Sequence, residues 1–344
     1  MSVGASGPSP PLLEAARAGD EDAFRRLVEP HRAELHAHCY RMLGSLHDAE
    51  DALQDALLRA WRGLAGFEGD RPLRPWLYRI ATNACLDAIA KRPRRALPVD
   101  REPASAPGDG PGEPEVEPVW LEPYPDSELA AGSAFAAPEA RYEQREAVEL
   151  AFIAALQHLP ANQRAVLILR EVLGFSAREV AESLETSVPS VNSALQRARR
   201  TVAERLPARS QQATLRDLGD DRVRAMVEDY VAAWERRDVE AMVAMLAEEA
   251  TFAMPPHPHW FRGRESVIEF ITGTGKPDLR HVITTASGQP AVGWYWPDPE
   301  GGSSYVPVSL EVLALDGARV REITAFVQPG LFERFGLPAR VEDG

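Results

Sequence analysis

Lysine is almost missing from this chain: of its 38 basic residues only Lys91 and Lys276 are not arginine. Cysteine is nearly absent too, with Cys39 and Cys85 alone. Both fall within helical patterns and lack a nearby Cys or His at ligand spacing, so they read as small buried side chains rather than a disulfide or metal site. No apolar run approaches the ~18 residues that span a bilayer. The opening M-S-V-G-A-S-G-P-S-P-P carries neither a basic segment nor an apolar core, so no signal peptide is expected. These absences predict a cytoplasmic protein without disulfides, metal, cofactor or membrane association.

A length of 344 residues predicts two or three domains. The net charge of −14 argues at first against a nucleic-acid partner, but it is unevenly spread. Residues 24–95 carry 13 basic against 9 acidic side chains and residues 144–210 carry 9 against 7. Residues 96–143 carry 2 against 11, and 211–344 carry 13 against 21. The two helical, net-positive stretches are therefore the candidates for DNA.

The first of them is organised around Ser45–Arg95. Leu46, Ala49, Leu53, Ala56, Leu57, Ala60 and Trp61 recur at steps of three and four, and Asp48, Asp51 and Asp55, with Gln54 beside them, share another face. Gly44 breaks the preceding helix and Ser45 is placed to cap this one. A loop rich in Gly, Pro and Arg follows, then a helix that begins W-L-Y-R-I-A-T-N and ends K-R-P-R-R. The run D-A-E-D-A-L-Q-D (48–55) followed by R-P-W-L-Y-R-I-A-T-N-A-C-L-D (74–87) closely resembles region 2 of sigma-70 initiation factors, in particular the extracytoplasmic-function (ECF) group. The resemblance implies that Asp48, Asp51, Gln54 and Asp55 dock on the polymerase clamp helices. It implies that Phe67, Trp76, Arg79, Asn83, Lys91 and Arg92 melt and read the −10 element by base capture, stacking and phosphate contact. Two plainer readings stand beside these: acids in a helix's first half favour the macrodipole, and Trp76 falls at core spacing with Ile80 and Ala84.

Residues 96–143 hold nine prolines and eleven acids with few aliphatics, the composition of a disordered linker. Within it V-W-L-E-P-Y-P-D (119–126) is unusually aromatic, and resembles a linker patch of an ECF subgroup that carries an extra C-terminal domain. In sigma factors the linker threads toward the polymerase active-site cleft. Trp120 and Tyr124 either anchor the patch to a partner or pack against the chain's own C-terminal domain.

The second basic stretch ends in a helix-turn-helix pattern: S-A-R-E is a capping box at Ser176 and Glu179, E-T-S is the turn, and a longer helix begins near Pro189. Val180, Ala181, Leu184, Val191, Leu195 and Ala198 are the packing residues. Arg178, Ser190, Asn192, Ser193, Gln196, Arg197, Arg199 and Arg200 occupy the other faces, with types suited to base edges and phosphates. The run from Leu159 to Arg199 closely resembles sigma region 4, which reads the −35 element.

Residues 211–344 read as two helices, a strand, a short helix and four further strands, the last pair joined at Asp316-Gly317. The Y-V-x-x-W…W-F-x-G-R order resembles the SnoaL-like superfamily, whose α+β cone encloses a pocket. Trp234, Phe252, Trp260, Phe270, Trp294 and Phe326 are the expected lining. An isomerase-type enzyme needs a carboxylate and a hydrogen-bonding acid in that pocket, and the polar groups singled out (Tyr230, His257, His259, Arg262, His281, Asp316) do not make such a pair by sequence position.

The reading is thus a multidomain chain: a disordered leader (1–11), an all-α sigma region 2 (12–95), an acidic linker (96–143), an all-α region 4 (144–208), and an α+β SnoaL-like cone-shaped barrel (219–341). Its expected partners are core RNA polymerase, through the clamp helices of the β′ subunit and the flap of the β subunit, and promoter DNA. A small ligand or an intramolecular contact is expected at the last domain, which modulates activity and is not an enzyme. The alternatives are a helix-turn-helix regulator without polymerase docking, and a cyclase-like or isomerase-like enzyme tethered to a DNA-binding half.

Overall fold

The computed structural model describes residues 10–68, 72–115, 120–132, 143–273 and 278–342. Most of the expected leader, and parts of the 63–75 loop and the 96–143 segment, lie outside these. The chain divides into two compact units, Met1–Arg94 with Ser127–Ala147 and Ala151–Leu206, and Arg95–Asp126 with Val148–Leu150 and Pro207–Gly344.

The first unit is all helix. Helices α1 (Pro10–Arg17), α2 (Glu21–Leu43), α3 (Leu46–Gly63) and α4 (Leu73–Ile89) form its first bundle. Gly44 ends α2 in the left-handed conformation, φ 71°, and the Ser45 hydroxyl accepts from the Asp48 amide at 3.2 Å to open α3. Cys39 and Cys85 are both free and fully buried, and burial first, then the hydrogen bond to Cys39, pushes the Cys85 thiol well up, which keeps it protonated and inert. After α5 (Asp126–Gly132) come α6 (Leu150–Gln157), α7 (Ala161–Leu167), α8 (Ala177–Ser183) and α9 (Val188–Ala203). Ser176 and Glu179 close the expected capping box at 3.2 and 2.7 Å.

A half-buried ionic cluster ties α2 to α4. Arg74 Nε donates to Glu34 at 2.9 Å, the Tyr78 hydroxyl donates to the same oxygen at 3.1 Å, and His31 lies 2.6 Å from Glu34. Burial alone would raise the Glu34 pKa, but the hydrogen bonds and charges of His31 and Arg74 outweigh it and hold the carboxyl below its ordinary value. A depressed carboxylate stabilises the fold above its unfolded-state pKa, and that stabilisation is lost as pH falls through the folded value. Thermal melts of the first unit should therefore weaken below about pH 4. Glu34→Gln should melt lower at neutral pH with a flatter acid limb; an unchanged acid limb would remove Glu34 from this role.

The second unit is a mixed sheet covered by helices. Its helices α10 (Gln211–Leu218), α11 (Asp220–Arg236), α12 (Val239–Met245) and α13 (Arg264–Gly273) accompany strands β1 (Leu246–Ala253), β2 (Trp260–Arg262), β3 (Arg280–Ala286), β4 (Gln289–Pro297), β5 (Ser304–Asp316), β6 (Arg319–Phe326) and β7 (Val341–Glu342). The order is β2-β1-β6-β5-β4-β3, with β7 beside β5; among the described strand pairs β1–β6 alone is parallel. Asp316 pairs with Arg319 across the turn at Gly317, φ 54°, as the hairpin signal predicts. Helix α10 and strands β2 and β7 were not among the predicted elements: β2 and β7 have three and two residues, too few to show a period.

The segment read as a disordered linker is corrected over its described first part. Trp120, Leu121 and Tyr124 are buried, Leu121 N–H donates to the Ala96 carbonyl at 3.0 Å, and Arg95 donates to the Trp120 carbonyl at 2.9 Å. Arg95 is therefore no part of an exposed basic tail. Tyr124 and Ser287 exchange two hydrogen bonds, at 2.9 and 2.7 Å. Composition failed here because the segment needs no core of its own: backbone groups at Ser105, Glu115 and Tyr124 bond to the sheet domain at Trp260, Pro256 and Ser287.

Candidate functional sites

The acidic face of α3 divides into buried and exposed parts. Asp48 is only 4% exposed and pairs with Arg92, which also approaches Asp51 at 3.6 Å. Asp48 thus faces its own bundle, and Arg92, expected on DNA phosphate, is held by the acids. Asp51 and Gln54 are exposed and Asp55 is half-buried, 2.6 Å from Arg59, which reaches Asp87 at 2.7 Å. Leu58 continues the ridge one turn on and is 54% exposed. Positions 51, 54, 55 and 58 follow the spacing of one helical face. Leu58 was missed by sequence reading because it falls outside the apolar stripe, which is itself the available signal.

The expected base-reading residues are also separated by burial. Phe67 is 4% exposed, its ring centroid 4.9 Å from that of half-buried Trp76, so it supports Trp76 instead of offering a wall to a base. Asn83 is half-buried and Lys91 exposed. Arg79 is exposed and ion-paired at 2.7 Å with Glu185, in the turn between α8 and α9. Nearby, Phe175 lies edge-on to Tyr78 at 5.4 Å and 5.1 Å beneath the Arg74 guanidinium.

In the helix-turn-helix the two faces of α9 are cleanly sorted. Val191, Leu195, Ala198 and Val202 are buried. Ser190, Asn192, Ser193, Gln196, Arg197, Arg199 and Arg200 are all exposed. Arg199 pairs with Glu171, and Arg178 with Glu182 at 3.0 Å, both at the surface.

The second unit holds a cavity of about 180 Å³. Of the six expected lining residues, Trp234, Phe252, Phe270 and Trp294 line it. Trp260 and Phe326 do not: Trp260 donates its indole N–H to the Glu102 carbonyl at 2.7 Å, and Phe326 is fully buried in β6. The residue that sequence reading missed is Glu311, 2% exposed, whose Oε2 accepts from the Tyr230 hydroxyl at 2.8 Å and from Trp294 Nε1 at 2.7 Å. Burial, and then the Glu311 charge, drive the Tyr230 phenol well up, so it stays protonated and donates. A glutamate flanked by Leu310 and Val312, both buried, is buried whichever face it takes, and this was the readable signal.

Pro111 also lines the cavity. The loop holding it is fastened by two ring nitrogens that donate to backbone carbonyls: His257 Nδ1 to Gly112 at 2.8 Å and His259 Nδ1 to Gly110 at 2.9 Å. Among the described residues no group of His, Cys, Asp and Glu is arranged to hold a metal, and no helix is long and apolar enough to cross a membrane.

The sigma-70 region 2 family matches residues 27–95, the sigma-70 region 4 family residues 143–202, and the SnoaL-like domain family residues 227–320. The chain is 42% identical over 334 residues to the ECF RNA polymerase sigma factor SigG of Mycobacterium tuberculosis, covering 94% of this chain and 85% of that one. It is 30% identical over 194 residues to the ECF sigma factor SigW of Bacillus subtilis, covering 56% of this chain and 94% of the relative. The crystal structure of the ECF sigma factor SigJ of Mycobacterium tuberculosis shares the fold, with a TM-score of 0.58 at 22% identity over 90% of this chain and 97% of that one. An acidic ridge, an exposed recognition helix and an aromatic cone on one chain, with these matches across its length, identify it as an RNA polymerase sigma factor of the extracytoplasmic-function group, with sigma regions 2 and 4 followed by a SnoaL-like domain.

Proposed function

We propose that the chain directs core RNA polymerase to promoters through three surfaces: Asp51, Gln54, Asp55 and Leu58 on the clamp helices of β′, α4 at the −10 element, and α9 at the −35 element beside the flap of β. The observation that carries this is the exposed ridge on α3, where acids and a large apolar side chain share one face. A solvated acidic face gains nothing from an exposed leucine, whereas a protein partner gains both charge complementarity and apolar burial. Asp48 and Arg92 become supports of that ridge, and Phe67 a support of Trp76. Co-purification with core polymerase tests the docking.

On α9, Ser190, Asn192 and Ser193 lie at the helix start, where a recognition helix meets base edges, and Arg197 and Arg200 lie further along, toward phosphates. Arg197→Ala with Arg200→Ala should weaken −35 binding evenly across sequences and reduce the salt slope by about one for each phosphate left without its arginine. A defect confined to one base position would assign these arginines to readout instead.

Arg79 can read DNA only after leaving Glu185. Glu185→Lys should raise affinity for a −10 fork-junction DNA by about two- to five-fold, the scale of a surface ion pair. Fluorescence anisotropy reads this; an unchanged affinity would count against Arg79 as a −10 contact.

For the SnoaL-like domain we favour a modulating ligand-binding role over catalysis. In the buried pair of Tyr230 and Glu311 the phenol proton is committed to the carboxylate instead of a substrate carbonyl. Pro111, on the segment that follows region 2 in the sequence, lines the cavity, so a bound ligand would touch that segment.

A further inference from the structure

The cavity lining has a chemistry that selects among ligands. Its walls are the ring systems of Trp234, Trp294, Phe252 and Phe270, and its acidic group is Glu311; among the described residues neither arginine nor lysine is in the lining. The indole N–H of Trp294 can only donate. Together with the Tyr230 hydroxyl it places two donors on Glu311 Oε2, so the carboxyl is held as an acceptor at the cavity wall. An anion brought to this wall would face acceptor oxygens and the negative faces of the rings, while a cation would be attracted by both. In size the space of about 180 Å³ compares with roughly 150 Å³ for an engineered cavity that holds benzene.

We propose that this cavity binds a compact arylalkylamine, with its ammonium at Glu311 and its apolar body against Trp234, Trp294, Phe252 and Phe270. The inference rests on the ligand-binding reading of the domain and adds the charge and size of what it takes. Pro111 closes one side, so a ligand contacts the loop held by His257 and His259 directly. Gly112 at the crest of that loop has φ 76°, and a Cβ there would sit 3.1 Å from Pro258, which leaves the loop little freedom to carry another residue.

Isothermal titration of the full chain with three isosteric probes, benzylamine, benzyl alcohol and benzoate, tests the proposal. Benzylamine should bind at least about tenfold more tightly than benzyl alcohol, the scale of a desolvated cation–π contact plus its counter-charge, and benzoate more weakly than both. Glu311→Gln, which keeps an oxygen acceptor for Tyr230 and Trp294, should reduce the preference for the amine to about twofold or less. Ala325→Leu, filling the cavity from β6, should weaken all three probes together. Equal or tighter binding of benzoate, or a preference for the amine that survives in Glu311→Gln, would overturn the assignment of charge while leaving a ligand cavity. No binding by any probe at low millimolar concentration would overturn both. The wild-type series decides by itself should a variant fail to fold.

Discussion

Replacing Asp51 and Asp55 together by arginine is expected to abolish co-purification with core polymerase while leaving the fold intact. The two side chains lie on the exposed ridge of α3, and their partners within the chain are surface contacts: Asp51 with His47 at 3.8 Å and Arg92 at 3.6 Å, Asp55 with Arg59 at 2.6 Å. Exposed pairs of this kind contribute about 0–1 kcal/mol each, so helix content should hold and melting should shift little. Reversing two charges at a complementary interface costs several kcal/mol, a loss of about a hundredfold or more in affinity. Asp48→Arg is a poor substitute for this test, because a buried carboxylate would be exchanged for a buried cation facing Arg92, and unfolding would mimic loss of docking. Leu58→Asp offers an independent check on the same ridge with no ion pair to break. If the double variant co-purifies at wild-type levels, the docking assignment fails.

Arg164→Leu should give the largest loss of stability in the first unit. Arg164 is 4% exposed, donates to Gln157 Oε1 at 2.6 Å and to the carbonyls of Gln157 and Leu159 at 3.2 and 3.3 Å, and also reaches the Met42 carbonyl. It thereby closes the turn between α6 and α7 and ties it to the end of α2. Burial, with Arg94 adding to it, lowers the guanidinium to about 10 against the opposing pull of Cys85, which still leaves it charged at neutral pH. Leucine fills the space but orphans these oxygens, at about 1–3 kcal/mol for each that stays buried. A net loss of about 3 kcal/mol, or roughly 6–12 °C in the first thermal transition, is expected. A shift below about 2 °C would mean that water or neighbouring donors replace the guanidinium.

The helices were legible because period and punctuation agreed. Gly44, Ser45, Ser176 and Glu179 each make the cap that their residue type predicts, and the apolar positions of α3 and α9 face inward. What one sequence concealed was which neighbour each polar group meets. Asp48 and Asp51 look alike along α3, yet Asp48 sits in the first turn beneath Arg92, 44 positions away, and Asp51 is in solvent. Phe67 follows a Gly-rich loop, a position that suggests exposure, but Trp76 covers it. Arg164 resembles any helix-surface arginine until the carbonyls around it are located. Glu311 was not legible as a cavity acid because its carboxylate lies inside an apolar strand, where no motif or turn marks it. The 96–126 segment was misjudged for a related reason: composition measures whether a stretch can bury its own core, not whether a neighbouring sheet supplies one. It also changes how a shortened chain is interpreted. Cutting after Arg209 would remove Ser287, the hydrogen-bond partner of buried Tyr124, so altered activity of that fragment would mix loss of the domain with disturbance of the segment.

The most direct measurement is run-off transcription by purified core polymerase on a library of candidate promoters, with the full-length chain beside its Asp51→Arg, Asp55→Arg variant. Promoter-specific transcripts with the full-length chain, and none with the variant, are the expected result. No transcript above core polymerase alone with the full-length chain, or undiminished transcripts with the variant, would contradict the account.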